Sequence, residues 1–249
     1  MRIEHVTDTV HIVTGTNVNW ALVTDGDAVT VIDAGYPNDG TALLASLEAI
    51  GRAPQDVHAV LLTHAHLDHM GGIPTLLAQH SVPVLTGADE VAHAHRDYEE
   101  QITPGQMLRQ CSHWSGITWV TQTLKAVLPH TKMSVPSATP VPFGDALDLP
   151  GAPTPVSTPG HTSGHTAYVL EAAGVLFTGD ALVTAHPLLP GPPRPQLLPS
   201  FFSEDETEME ESLRTLSGLQ ADVIVPGHGP VALGPIEDIV RRVDRPQVS

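Results

Sequence analysis

The stretch Thr63-His64-Ala65-His66-Leu67-Asp68-His69 decides how this chain folds and what chemistry it carries. It places three imidazoles and a carboxylate directly after the apolar run 57–62. A hydrophobic core has no use for such a cluster, and a solvated loop rarely acquires one by chance. Imidazole nitrogen and carboxylate oxygen suit zinc, iron or manganese, and both bind in their deprotonated forms. The H-x-H-x-D-H spacing therefore predicts a metal site just after a strand.

Further candidate ligands share one local pattern, a short apolar run followed by a glycine-flanked polar residue. These candidates are His161, Asp180 and His228, and upstream Asp33 ends the β-branched run 29–33 in the same way. Loops at strand ends, held by a rigid scaffold, are where functional sites are usually assembled. Glycine beside a ligand lets the backbone turn sharply and approach closely. We therefore expect these side chains to converge on the first motif.

Taken together and in this order, the segments resemble the metallo-β-lactamase superfamily, from about Asp33 to His228. The resemblance implies an α/β fold, the four-layer αβ/βα sandwich, with the metal site at one edge between two sheets. We expect a single domain over residues 1–249, because no linker-like change in composition divides the chain.

The resemblance also implies a division of the ligands between two divalent cations. One ion would be bound by His64, His66 and His161, and the other by Asp68, His69 and His228, with Asp180 bridging both. Asp33 would support the site without ligating, His165 would be a hydrogen-bonding partner near it, and Asp68 is the expected catalytic residue. Zinc is the favoured metal, with iron or manganese as alternatives.

The chemistry of such a pair agrees with hydrolysis. Two metal ions can clamp a bridging hydroxide and polarise a carbonyl oxygen, so no serine or cysteine nucleophile is needed. The expected reaction is attack of that hydroxide on the carbonyl of a small ester, lactone or thioester. One alternative is a mononuclear iron oxygenase similar to the persulfide dioxygenases, which carry the same H-x-H-x-D-H motif. Another is a metal-dependent binding protein without catalysis.

Differences between this sequence and better-known members of the superfamily limit the branches to which it can be similar. Zinc β-lactamases lack an equivalent of Asp180, and flavodiiron reductases have glutamate where His66 stands. Quorum-signal lactonases usually place a tyrosine after the bridging aspartate, and here none follows Asp180. Glyoxalase II enzymes share every ligand but add a helical C-terminal domain for glutathione, whereas this chain ends soon after His228. We expect a glyoxalase II-like hydrolase with a different substrate.

Composition excludes several classes of partner. A formal charge of −17 with 11 basic residues argues against nucleic acid, which needs lysine and arginine to neutralise phosphates. No apolar run approaches the roughly 20 residues of a membrane span, so no membrane partner is expected. The N-terminus lacks the apolar core of a signal peptide, so a cytoplasmic location is expected. The single cysteine, Cys111, excludes an intrachain disulfide.

Two segments are candidates for covering the site. Residues 101–135 form an apolar, helical insertion. It is either an extra packing layer or a homodimer interface, or else a lid over an apolar substrate pocket. The proline-rich loop 185–203 follows Asp180 and should run over the metal mouth. It carries one cation, Arg194, predicted to meet an anionic group on a small-molecule substrate with an apolar body. For histidines in these segments, including His186, surface or packing roles are favoured.

Hydrophobic periodicity predicts the main elements. Strands are expected at 10–13, 20–24, 28–33, 57–62, 84–85 and 221–225, the last being the final strand, and helices at 41–50, 68–79, 89–100 and 204–216.

Overall fold

Two β-sheets face each other in the computed structural model, which describes residues 1–244. The first sheet has seven strands in chain order: β1 Arg2–His5, β2 Val10–Thr14, β3 Asn19–Asp25, β4 Ala28–Ile32, β5 Val57–Leu61, β6 Val84–Thr86 and β7 Ala138–Pro140. The second has five, in the order β12 Ala232–Leu233, β11 Val223–Pro226, β10 Val175–Gly179, β9 Thr166–Leu170 and β8 Thr154–Ser157. Strands β4 to β7 pair in parallel, as do β10 and β11.

Helices cover the outer face of each sheet. They are α1 Gly40–Ala49, α2 Leu67–Met70, α3 Ile73–Leu77, α4 Val91–His95, α5 Pro104–Arg109, α6 Trp114–Val127, α7 Glu206–Ser217 and α8 Ile236–Arg241. Successive side chains of a strand point to opposite faces, and β3 shows the result. Its Ala21 and Val23 join the cluster between the sheets, while Trp20 and Leu22 join the cluster under α1 and α3. The predicted four-layer αβ/βα sandwich is confirmed.

Some predicted boundaries were wrong. The helix expected at 68–79 is interrupted between α2 and α3. A Cβ on Gly71 would lie 2.2 Å from the backbone nitrogen of Pro37, so the close backbone approach requires glycine there. The helix expected at 89–100 ends at His95, because Arg96 adopts a φ of 66°. The strand expected at 221–225 is not the final one, since β12 pairs antiparallel with β11.

The insertion is helical, as predicted, and has two unlike sides. On α6, Trp119 and Val127 are buried, whereas Trp114 is 83% exposed. The Nδ2 of Asn38 donates to the carbonyl of Lys125 at 2.6 Å, which ties the end of α6 to the loop before α1. Strand β7, which directly follows the insertion, was not predicted because its three residues carry no periodic signal. Within residues 1–244, no helix combines the length and apolar character needed to cross a bilayer.

Candidate metal centre

The predicted ligands come together at one edge of the sandwich. They form three overlapping groups whose ligand atoms lie within 4.8 Å of one another: His64, His66 and His161; His64, His69 and Asp180; and Asp68, His69 and His228. All but His66 and Asp68 are buried, and those two are partly buried.

The strands deliver these side chains to a common place. Because β10 and β11 are parallel, their carboxyl ends meet at the same edge, so Asp180 and His228 become neighbours. Their side chains approach to 3.1 Å. The first motif leaves the end of β5, with Asp68 and His69 inside the short helix α2. The loop between β8 and β9 brings in His161.

Asp33 supports the motif from the adjacent parallel strand. One carboxylate oxygen accepts from the backbone nitrogen of Thr63 at 2.8 Å. The other accepts from the Thr63 hydroxyl and contacts Nδ1 of His69, each at 2.8 Å. Asp33 itself has a φ of 60°, an uncommon conformation for a residue with a side chain. Its position is that of a residue that orients ligands and is not a member of the three groups.

One nitrogen of several imidazoles is already engaged, which directs the other nitrogen to the centre of the cluster. Nε2 of His66 lies 2.6 Å from the carbonyl of Glu100, and Nδ1 of His228 lies 2.6 Å from the carbonyl of Asn17. Nδ1 of His64 is 3.0 Å from the Thr63 hydroxyl. Such contacts select the tautomer and ring orientation of a metal-binding histidine.

Buried polar atoms without partners test whether these residues fit a metal. Among residues 1–244, Nε2 of His64, Nε2 of His69 and Oδ1 of Asp180 are buried and make no hydrogen bond. Leaving such atoms unpaired is costly, and native structures rarely do so. A cation within the cluster would satisfy them, and the nitrogen and carboxylate donors are those that zinc, iron and manganese accept. The donor set fits a metal ion.

The histidines of the cluster differ in the direction in which their pKa values are shifted. Burial and neighbouring histidines hold the pKa of His64 well below its ordinary value, and burial with His93 lowers the pKa of His66 to about 4. These rings are neutral at pH 7, the state that binds metal. For His69, burial alone would lower the pKa, but three carboxylates, led by Asp180, raise it to about 10.

Glu90 is a site residue that sequence reasoning missed. Its buried carboxylate accepts from Ala65 N at 2.7 Å, the Thr162 hydroxyl at 2.7 Å and Gly164 N at 3.2 Å, and it contacts Nδ1 of His93 at 2.7 Å. It therefore joins the first motif loop to the His161 loop. Nothing in the local sequence signals this, because a glutamate at the start of a helix is ordinarily exposed.

His165 occupies the structural position predicted for it. Its Nδ1 lies 2.8 Å from the Thr158 hydroxyl, and its Nε2 accepts from the backbone nitrogen of Asp180 at 3.1 Å. The side chain is fully buried. His165 thus holds the loop of one predicted ligand, His161, against the backbone of another.

A cavity of about 480 Å³ opens beside the cluster. Both covering segments line it, the insertion through Met107 and Trp119 and the proline-rich loop through Leu198 and Phe202. Of the two interpretations left open for the insertion, a wall over an apolar pocket is the one that this arrangement favours.

The structure argues against the role predicted for Arg194. Its Nη2 lies 2.8 Å from Oδ2 of Asp244, and its Nη1 donates to the carbonyls of Pro190 and Pro192. It is not among the described residues that line the cavity. The guanidinium stabilises the loop, because its partners come from the loop itself and from the segment after α8.

His186, for which packing or surface roles were favoured, lies in the cavity wall beside the cluster. Its ring centroid is 5.3 Å from that of His228, and the rings of Trp119 and Phe202 meet it edge-on. Burial, followed by His228, lowers its pKa to about 3. Its Nδ1 accepts from the backbone nitrogen of Leu188 at 3.2 Å. The neutral ring therefore carries its proton on Nε2.

Comparison with known proteins agrees with this geometry. The sequence model of the metallo-beta-lactamase superfamily matches residues 13–228. The chain is 26% identical over 220 residues to the probable metallo-hydrolase YflN of Bacillus subtilis (strain 168), covering 84% of this chain and 78% of that protein. It is 31% identical over 172 residues to a hydroxyacylglutathione hydrolase of Methylobacillus flagellatus, covering 68% of this chain but only 48% of that enzyme.

Solved structures support the fold. A metallo-beta-lactamase family protein from Thermus thermophilus superposes with a TM-score of 0.66 at 22% sequence identity. The superposition covers 95% of this chain and 78% of that one. At this identity the likeness concerns the fold alone.

Proposed function

Because this chain belongs to the metallo-beta-lactamase superfamily, we propose that it is a metal-dependent hydrolase of a small ester, lactone or thioester. In this proposal two divalent cations, zinc in the first instance, occupy the cluster. His64, His66 and His161 would hold one ion, and Asp68, His69 and His228 would hold the other, with Asp180 as a ligand available to either. The observation that carries the proposal is the convergence of buried, unpartnered donor atoms at one point.

Divalent cations bound there would lower the pKa of a water molecule and polarise a substrate carbonyl. The chain's own residues supply the rest. The Asp68 side chain is 19% exposed, lines the cavity and lies 3.5 Å from Nε2 of His228. Its carboxylate can therefore reach an attacking water, accept its proton and hold it near the leaving group. The apolar body of the substrate lies against Trp119 and Leu198.

His186 is proposed to bind the substrate carbonyl. Its Nε2–H makes no hydrogen bond to any residue in the described part of the chain, and its ring lies beside His228 in the cavity wall. A neutral imidazole fixed in one tautomer can donate to a carbonyl oxygen and to the negative charge that develops on it. The contacts from Trp119 and Phe202 keep the ring in place during that change.

Metal analysis together with a substrate panel tests the hydrolase proposal. Protein reconstituted with zinc, iron or manganese is assayed by mass spectrometry for metal content and against ester, thioester and lactone substrates. We expect about two metal ions per chain and turnover that a chelator abolishes. One iron per chain with oxygen consumption would favour the mononuclear oxygenase instead. Loss of one ion in Asp180→Ala without loss of turnover would contradict the paired site.

The role of His186 has its own test. Removing the donor in His186→Leu should lower kcat roughly 100- to 1000-fold, as expected for one oxyanion donor. His186→Gln, which keeps an N–H group, should recover part of that loss. Both variants should retain their metal, because His186 belongs to none of the three ligand groups. Equal kcat in the leucine and wild-type proteins would remove His186 from the mechanism.

A further inference from the structure

Much of the cavity wall is apolar, and outside the histidines of the cluster no described lining residue carries a positive charge. The wall includes Ile102, Met107, Trp119, Val127, Leu198 and Phe202. Among the described residues that line the cavity there is no lysine or arginine, whereas Glu99 adds a carboxylate. An anionic group placed against this wall would lose its hydration without gaining a cationic partner, and such burial is among the costliest in proteins.

The basic residues of the two covering segments nearest in the chain to the lining, Arg194, Lys125 and Lys132, are not part of the cavity wall. Arg194 is held by Asp244 and by two carbonyls of its own loop. Lys125 and Lys132 follow lining residues on the insertion, but both are exposed and neither belongs to the wall. A carboxylate inside the cavity therefore meets no group that could neutralise it, apart from what the metal centre itself binds.

Among the described lining residues Glu99 is the carboxylate outside the ligand cluster, and Glu100 follows it in the chain. Burial, followed by the charge of Glu100, raises the pKa of Glu204. Burial, followed by the charges of Glu100, Glu90, Asp89 and Glu204, raises the pKa of Tyr98 to about 12. Negative potential from these carboxylates also opposes the entry of an anion.

We propose that the cavity accepts an uncharged, apolar acyl group and rejects an acyl group with a carboxylate at its far end. This inference rests on the proposed hydrolase function, and it concerns the part of the substrate that enters the cavity. It separates this chain from an enzyme whose acyl pocket recognises a diacid.

A matched pair of substrates tests the inference by activity. The 4-nitrophenyl esters of hexanoic acid and of adipic acid share a leaving group and differ in a terminal methyl or carboxylate. After subtraction of spontaneous hydrolysis, kcat/KM for the adipoyl ester should be at least about 100-fold lower, the scale expected for an unpaired buried charge. Values within threefold of each other would overturn the inference.

A binding measurement on zinc-loaded protein, with amides in place of the esters, keeps this result separate from ester hydrolysis. Trp119 lines the cavity, Trp20 is buried elsewhere, and Trp114 is 83% exposed, so Trp114→Phe leaves Trp119 as the reporter of the wall. Hexanamide should change the fluorescence, and the monoamide of adipic acid should not at the same concentration. Discrimination here without turnover of any ester would retain the inference and reject the hydrolase function. Equal binding of both amides, or of neither, would overturn the inference.

Reversing the charge of Glu99 supplies a paired variant test. Glu99 is exposed, so Glu99→Lys should fold normally and should raise the adipoyl-to-hexanoyl ratio of kcat/KM by about tenfold, through a new ion pair at a partly desolvated site. Glu208→Lys makes the same change on exposed α7, away from the lining, and should leave the ratio unchanged. An identical ratio in all three proteins would contradict the proposed charge selection.

Discussion

Replacing Glu90 by alanine should destabilise the protein and loosen the metal centre together. The carboxylate is fully buried and receives hydrogen bonds from Ala65, Thr162 and Gly164, which belong to two different ligand loops. Its removal leaves those donors without an acceptor in a site that water reaches poorly.

The magnitude follows from the number and kind of these contacts. Each unsatisfied buried donor costs about 1–3 kcal/mol, and removing one partner of a buried ionic network typically costs about 3–5 kcal/mol in total. We take the second figure, because relaxation of the loops prevents simple addition. In a domain of this size each kcal/mol lowers Tm by about 2–4 °C, so Glu90→Ala should lower Tm by roughly 6–20 °C.

The assay is thermal unfolding of metal-free protein, followed by zinc titration of the folded variant. Asp89→Ala is the matched control, because Asp89 is the exposed neighbour on the same turn. The free energy of unfolding of Asp89→Ala should stay within about 0.5 kcal/mol of the wild-type value. Zinc affinity of Glu90→Ala should fall about 10- to 100-fold, as for other groups that orient ligands. A Tm within about 2 °C of the control would refute the reasoning, since no buried network would then depend on Glu90.

The loss of thermal stability in Glu90→Ala should depend on pH. Burial alone would raise the pKa of Glu90, but hydrogen bonds and charge from His93, with Thr162 and Ala65, lower it below its ordinary 4.5. A lowered folded pKa contributes stability that is fully present above pH 4.5 and is lost as the pH falls through the folded value. The Tm difference between wild type and Glu90→Ala should therefore be constant near neutrality and shrink in acid. A difference that widens in acid would contradict this sign.

Three further outcomes are expected. Asp68→Asn should lower kcat at least 100-fold, as expected for loss of a general base, and activity within tenfold of wild type would reject that role. At pH 8 the metal-free protein should hold a proton on His69, because neighbouring carboxylates outweigh burial and raise its pKa to about 10. Zinc binding should release that proton, as measured by calorimetry in buffers of different ionisation enthalpy. The contribution of that proton to the free energy of unfolding should fall as the pH rises from 6.5 through about 10. Arg194→Ala should leave KM unchanged and cost less than about 1 kcal/mol, since its pair with Asp244 is partly exposed; a raised KM would restore its role in substrate binding.

Much of the fold and of the candidate site could be read from local pattern. The strands before Asp33, His64 and Asp180 are visible because β-branched and apolar runs end at polar residues. The H-x-H-x-D-H spacing predicts a metal site by itself, because imidazole and carboxylate groups can bind metal whatever residues lie elsewhere in the chain. These features depend on residues within a few positions of one another, so one sequence suffices to predict them.

What only the tertiary structure decided depends on partners far apart in the chain. Glu90 joins two ligand loops through its hydrogen bond with Thr162, and Arg194 stabilises its loop through its ion pair with Asp244. His186 lies in the cavity wall beside His228. The hydrophobic periodicity of the local sequence does not predict any of these contacts. The charge and hydrogen bonding of a side chain act through space, and only the packing of the two sheets establishes which groups lie within that reach.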